Sequence, residues 1–130
     1  MYRIERLRAE ELGMIDDLLE HSDSGKDYKI NYKCEFIAAK NETKLGGIAG
    51  YLIGKRYPQF KHIILRKGVY PILAAKLIQK MEKVLKKEGY NDYVGFISNK
   101  NNFLQSIAIR LGYKAYANND KGVWFYRRLK

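Results

Sequence analysis

Between residues 73 and 85, Leu73, Leu77, Ile78, Met81, Val84 and Leu85 recur three and four positions apart, which gathers them on one face of a helix. Lys76, Lys80, Lys83 and Lys87 recur at the same period on the opposite side. Pro71 suits the first turn, where a missing N–H costs nothing, and Gly89 suits the position just past the end. Runs that read as strands stand on both sides: Gln59 to Arg66, with Ile63, Ile64 and Leu65, and Tyr93 to Ser98. Strand, helix and strand in this order predict a right-handed crossover between parallel strands, which places the chain in the α/β class. Asn99 to Asn102 then form a polar turn. Phe103, Leu104, Ile107, Ala108 and Leu111 share one side of a short helix that Gly112 ends.

The remaining segments predict antiparallel additions to this unit. Tyr2 to Leu7 alternates as a first strand, and Leu12, Ile15, Leu18 and Leu19 place a helix over Glu10 to Glu20. Glu10 and Glu11 fall at its positive end, where carboxylates are favoured. His21 to Lys33 has the composition of a loop, with Tyr28, Ile30 and Tyr32 alternating with polar residues. Cys34 to Ala39 and Ile48 to Ile53 flank the polar cluster Lys40 to Lys44 and read as a hairpin. Gly46, Gly47, Gly50 and Gly54 in or beside its second arm weaken a strand unless a closely approaching surface uses them. The turn Asn118 to Gly122 joins Tyr113–Tyr116 to Val123–Tyr126 as a terminal hairpin.

A chain of 130 residues with 46% apolar and 13% aromatic residues has the length and composition of one folded domain over 1–130. No apolar run approaches the roughly 18 residues of a membrane span, and the charged first residues hold no secretory apolar region. A cytoplasmic setting without membrane partners is expected. Cys34 is the single cysteine, which excludes an internal disulfide and a site built from several thiolates. It is expected to be a small buried or strand residue, and no metal site is expected.

The piece Phe96-Ile97-Ser98-Asn99-Lys100-Asn101-Asn102 through Ile109-Arg110-Leu111-Gly112-Tyr113, set behind a strand, a turn and an amphipathic helix, resembles the core of the GNAT superfamily of acyl-CoA-dependent N-acetyltransferases. The resemblance is specific from about His62 to Tyr126. It implies a single α/β domain whose mixed, mostly antiparallel sheet is flanked by helices, with the fourth and fifth strands parallel and splayed. It also implies acetyl-CoA or another acyl-CoA as cosubstrate. In that family the turn after the fourth strand carries Arg or Gln, two residues, Gly, one residue, then Gly or Ala, and its N–H groups hold the coenzyme pyrophosphate at a helix N-terminus. Registered through Lys76-Leu77-Ile78, those positions fall here on Val69, Ile72 and Ala74, of which only Ala74 fits. The implied coenzyme site therefore runs over Leu65, Arg66, Lys67, Gly68, Val69, Ile72, Ala74 and Lys76, with Asn101 as counterpart of the family's asparagine. Arg66, Lys67 and Lys76 bring the charge for phosphate. The loop His21 to Lys33 is where the resemblance puts a wall of the acceptor site.

Acyl transfer to an amine also needs a group to take the ammonium proton and a donor for the departing thiolate. The family's tyrosine position is occupied by Ala108, so Tyr113 and Tyr116 are the substitutes to consider. His62 is the one side chain nearby whose ordinary pKa lies close to neutrality. A strand histidine and packed or rim tyrosines are the bland readings of the same residues. Lys and Arg number 25 against 14 Asp and Glu, a formal net charge of +11. Such a surface attracts polyanions, so nucleic acid is one partner the charge admits beside acyl-CoA and an amine acceptor of unknown identity. A non-catalytic module that binds nucleic acid or an acidic protein through this surface is the alternative.

Overall fold

The computed structural model describes residues 1–129; Lys130, the last residue of the expected domain, lies outside them. In chain order the elements are β1 (Arg3–Arg6), a 3-10 turn (Ala9–Glu11), α1 (Met14–Glu20), β2 (Glu35–Lys40), β3 (Leu45–Ile53), β4 (Pro58–Leu65), α2 (Ile72–Lys87), β5 (Asp92–Ser98), α3 (Asn102–Arg110), β6 (Lys114–Asn118) and β7 (Gly122–Arg128). Among the described residues the strands make one sheet in the order β1-β2-β3-β4-β5-β7-β6. Every neighbouring pair is antiparallel except β4 and β5.

Helices cover both faces of the first half of the sheet, which is why β2 reads as a nearly continuous apolar run. Phe36, Ala38, Ile48 and Ile64 meet Ile15, Leu18 and Leu19 of α1 in one buried cluster. Ile37, Ala39, Ala49 and Tyr51 meet Leu77, Ile78, Met81 and Leu85 of α2 in the other, which Leu104 and Ala108 of α3 join. The periodic face of α2 is thus its buried face. Pro71 caps it at φ −57°, and Gly89, at φ +95°, turns the chain away past its C-terminus.

Several expected boundaries move. Glu10 to Glu20 is not one helix: a 3-10 turn comes first and Gly13 caps a seven-residue α1. The strand expected from Cys34 starts at Glu35, and Lys40, expected in the following turn, is its buried last residue. β3 begins at Leu45, three residues earlier than expected, because its glycines serve close contacts. A Cβ on Gly47 would meet the Ile64 carbonyl at 2.9 Å and lie 3.2 Å from the Leu77 side chain. Phe103, expected on the packed side of its helix, is 52% exposed.

Candidate active site

The parallel pair is short. β4 and β5 pair only at Gln59 with Val94 and Phe60 with Gly95, and beyond this point the two strands part. A bulge lies beside the divergence: Gly50 faces His62 and Tyr51 faces Phe60, so Lys61 is the extra residue on β4. The last residues of β4 and β5 therefore keep backbone groups that no ladder between them consumes.

A cleft of about 410 Å³ opens at this divergence. Ile63 and Leu65 of β4, two residues apart and hence on one face, line it with Ala74 of α2 and Leu104 of α3. Its polar end is formed by Arg66, Lys67, Gly68 and Val69, with Asn101 on the α3 side. A far smaller pocket of about 20 Å³ continues between the strands, shares Ile63 and Leu104 with the cleft, and includes Gly95 and Tyr113. The arrangement is an apolar slot in the sheet that leads to a polar mouth beside the start of α2.

The mouth owes its shape to a β-turn in which the Val69 N–H donates to the Arg66 carbonyl at 3.3 Å and Gly68 sits at φ +87°. That conformation at the third turn position favours glycine. Most of the turn's donors are already used. Arg66 N–H donates to Gly46 at 2.8 Å, Lys67 N–H to His21 at 2.7 Å, and the N–H groups of Leu73 and Ala74 to Tyr70 and Pro71, each at 3.0 Å. Pro71 has no N–H to offer. Among the described residues, the N–H groups of Gly68, Tyr70 and Ile72 keep no intramolecular acceptor and are the spare donors for an anion.

The cations of the mouth divide likewise. Arg66 is only 10% exposed along its side chain; its Nε donates to the Leu45 carbonyl at 2.7 Å and its guanidinium pairs with Asp17 of α1. That bond is the main reason the Asp17 carboxyl is held below its ordinary range. Arg66 thus ties α1 to the end of β4, and Lys67, exposed and in no ion pair among the described residues, is the open charge of the cleft. Ile72 is 62% exposed, and neither it nor Lys76 lines the cleft. Asn101 caps α3, its side-chain oxygen accepting from Leu104 N–H at 3.0 Å.

Asp23 and Ser24, in the loop His21 to Lys33 that the resemblance puts at the acceptor site, also line the mouth, though neither was singled out in the sequence. A bridge between Ser22 and Arg66 brings their loop there. Ile63 could have been found, since the period of a strand puts it on the face of Leu65.

The three side chains considered for proton transfer lie in different settings. His62 alternates onto the other face of β4, toward the loop after α1, and is buried. Its Nε2 accepts from Asn31 N–H at 3.1 Å, so the neutral ring carries its proton on Nδ1, which donates to the Tyr28 hydroxyl at 2.9 Å. Burial, and then the charge of Lys61, pushes its pKa down. The ring is spent on holding the loop. Tyr113 is buried beside the slot; its hydroxyl bonds to Tyr93, which donates onward to Glu82, and Glu82 is held by Arg127 at 3.0 Å. Burial raises the pKa of both tyrosines, so both stay protonated. Tyr116 is 56% exposed on β6 and lines no part of the cleft. Cys34 is buried, as expected, and burial pushes its thiol pKa up, away from nucleophilic chemistry.

The His62 contacts give an acid-side expectation. Because the folded pKa is below the unfolded one, the unfolded chain takes up the proton first, and stability falls as pH drops below about 6.5 toward the folded pKa. Urea midpoints measured between neutrality and pH 5 should show this fall. His62→Gln, whose amide can make both bonds, should make it shallower; an unchanged slope would remove His62 from the account.

The fold and its splayed centre have counterparts among solved structures. PaiA N-acetyltransferase from Thermoplasma acidophilum, solved in complex with coenzyme A, superposes with a TM-score of 0.81 at 15% identity, over 98% of this chain and 99% of its own. The ribosomal-protein-S18-alanine N-acetyltransferase from Escherichia coli gives 0.81 at 11% identity, over 99% and 94%. A GNAT-family acetyltransferase from Staphylococcus aureus gives 0.81 at 15% identity, over the whole of both chains. The chain has the GNAT fold. No family model and no curated protein matches the sequence itself. The GNAT architecture, with its parallel, splayed β4 and β5 inside an otherwise antiparallel sheet, is the arrangement expected from the sequence. No helix among the described residues is long and apolar enough to cross a membrane.

Proposed function

We propose that residues 1–130 form a single acyl-CoA-dependent N-acyltransferase domain of cytoplasmic location, with acetyl-CoA or another acyl-CoA as cosubstrate. The observation that carries this reading is the cleft running from the start of α2 into the gap between β4 and β5. The donor set suits a phosphate-bearing ligand at one end and an acyl chain at the other. Lys67 and the spare N–H group of Gly68 are the groups for phosphate within the cleft; Ile63, Leu65 and Leu104 are the apolar lining. The thioester would be held against the unpaired backbone of β4, whose N–H groups can polarise its carbonyl. An amine entering from the side of the loop pinned by His62 then forms the C–N bond as the C–S bond breaks, and the ammonium proton is released as the thiolate is protonated. Holding the two reactants together supplies much of such a rate, so few side chains need act directly.

The second reading, a non-catalytic module of the same fold, is favoured by the donors of Leu73 and Ala74 being turned back into their own chain. Calorimetric titration with acetyl-CoA, with ATP as the polyanion control, separates the two. Saturable binding that ATP does not imitate supports the enzyme and calls for an amine screen; no binding, or equal binding of both, supports the module. Lys67→Glu should weaken acetyl-CoA binding about ten- to hundred-fold, the worth of one lost charge-assisted hydrogen bond. Lys86→Glu, a like charge change outside the cleft, should leave affinity within about two-fold. Equal losses would mean that diffuse charge alone draws the ligand.

A further inference from the structure

The C-terminal half of α2 and the β7–β6 hairpin carry a cationic tract that the cleft does not use. Three adjoining depressions of about 580, 430 and 400 Å³ follow one another across this surface. Lys83 lines the first and second, and Arg128 lines the second and third, so they form one path. Lys80, Lys83, Lys86 and Lys87 stand along its α2 side, with Arg128 and Lys114 across the hairpin. None of these six makes an ion pair among the described residues.

The carboxylates beside them are committed elsewhere. Glu82 holds Arg127 at 3.0 Å, Glu88 holds Arg6 at 3.2 Å, and Glu5 meets the Lys40 ammonium at 3.0 Å. Glu5, Glu82 and Glu88 line the same depressions but are paired with Lys40, Arg127 and Arg6, so the six cations keep a net positive field, and like charges spaced so closely destabilise the free protein unless an anion relieves them.

We propose that this tract binds the phosphodiester backbone of a nucleic acid. Lys80, Lys83 and Lys86 rise about 4.5 Å per step along α2, at 1.5 Å per residue, which suits a polymer with a regularly repeated charge. An anionic membrane is the poorer fit: none of the large exposed apolar side chains of the described residues lines the path, so nothing is placed to enter lipid. The surface is separate from the acyl-CoA cleft, and the inference does not depend on catalysis.

The test is fluorescence anisotropy of a short labelled DNA duplex, and of a single-stranded RNA of equal length, titrated with the full chain. Six phosphate contacts predict a slope of log K against log salt near about −5 for the duplex, at roughly −0.9 per contact. Lys83→Glu/Lys86→Glu should weaken binding about ten-fold or more, whereas Lys33→Glu/Lys55→Glu, the same charge change on other surfaces, should cost about two-fold. Tighter binding of the RNA or of the duplex names the preferred form. Equal losses in the two double variants, displacement by polyglutamate of matched charge as effective as by unlabelled DNA, or tighter binding to phosphatidylserine vesicles would each overturn the proposal. Acetyl-CoA affinity of Lys83→Glu/Lys86→Glu, expected within about two-fold of the parent, keeps this result distinct from the fate of the acyltransferase reading.

Discussion

Leu77→Ala is expected to lower the unfolding free energy by about 2–5 kcal/mol, the range for truncating a buried leucine to alanine. Leu77 is wholly buried in the middle of α2 and packs over Gly47 of β3. Glycine at that position lets the helix side chain approach the sheet, and it also means that no side chain from below can fill the space once the leucine is shortened. The strands beneath are paired on both sides, so the backbone has little freedom to close the cavity. The cost should thus sit in the upper part of the range. Because Ala74, one turn earlier on the same helix, lines the cleft, acetyl-CoA affinity should fall along with stability. Urea denaturation gives the first quantity, with Ile72→Ala, at a 62% exposed site, as a control expected within about 0.5 kcal/mol of the parent. A loss below about 1 kcal/mol for Leu77→Ala would mean that α2 is not packed as described.

Glu11→Ala is expected to cost about 3 kcal/mol, the lower end for removing one partner of a buried ion pair, since water still reaches this carboxylate from the Arg8 side. Lys40 is only 6% exposed along its side chain, and its ammonium lies 2.8 and 2.9 Å from the two Glu11 oxygens. Without Glu11 it keeps only Glu5, at 3.0 Å. The same carboxylate governs acid stability. The Arg8 side chain first, and then Lys40, pulls its pKa down to about 2. The folded value lies below the unfolded one, so this contribution is complete above about pH 4.3 and disappears as pH falls from there toward 2. That window lies below the one assigned to His62, and the two can be read from a single series of urea midpoints. Glu11→Gln, which keeps the shape and loses the charge, should flatten the lower limb while leaving the upper one intact; loss of both limbs would point to general unfolding instead.

Neither Lys40 nor Glu11 was legible as a pair, and the reason separates the two kinds of information in this protein. Periodicity is local: the apolar face of α2, the alternation of the strands, the stops at Gly89 and Gly112 and the parallel crossover follow from side chains a few residues apart, and the resemblance carried by Phe96 to Tyr113 added the GNAT arrangement with splayed β4 and β5. The run of Leu65 to Val69 with Ala74 and Asn101 was singled out by that resemblance, and the fold gathers it around one cleft. What pairs with what across the sheet is not local. Glu11 reads as a helix-terminal charge until β1 and β2 pair and bring Lys40 over the 3-10 turn. Arg66 reads as a phosphate ligand until α1 presents Asp17 to it, and His62 reads as a base until the loop of Tyr28 and Asn31 occupies both its nitrogens. By itself the sequence determined the elements and their class, because spacing along a chain dictates which faces are apolar, and its resemblance to a known core pointed to the segment that forms the cleft. Only the tertiary structure decided which charged groups remain free, because a charge is neutralised by whatever lies within a few ångströms of it, however far away in sequence.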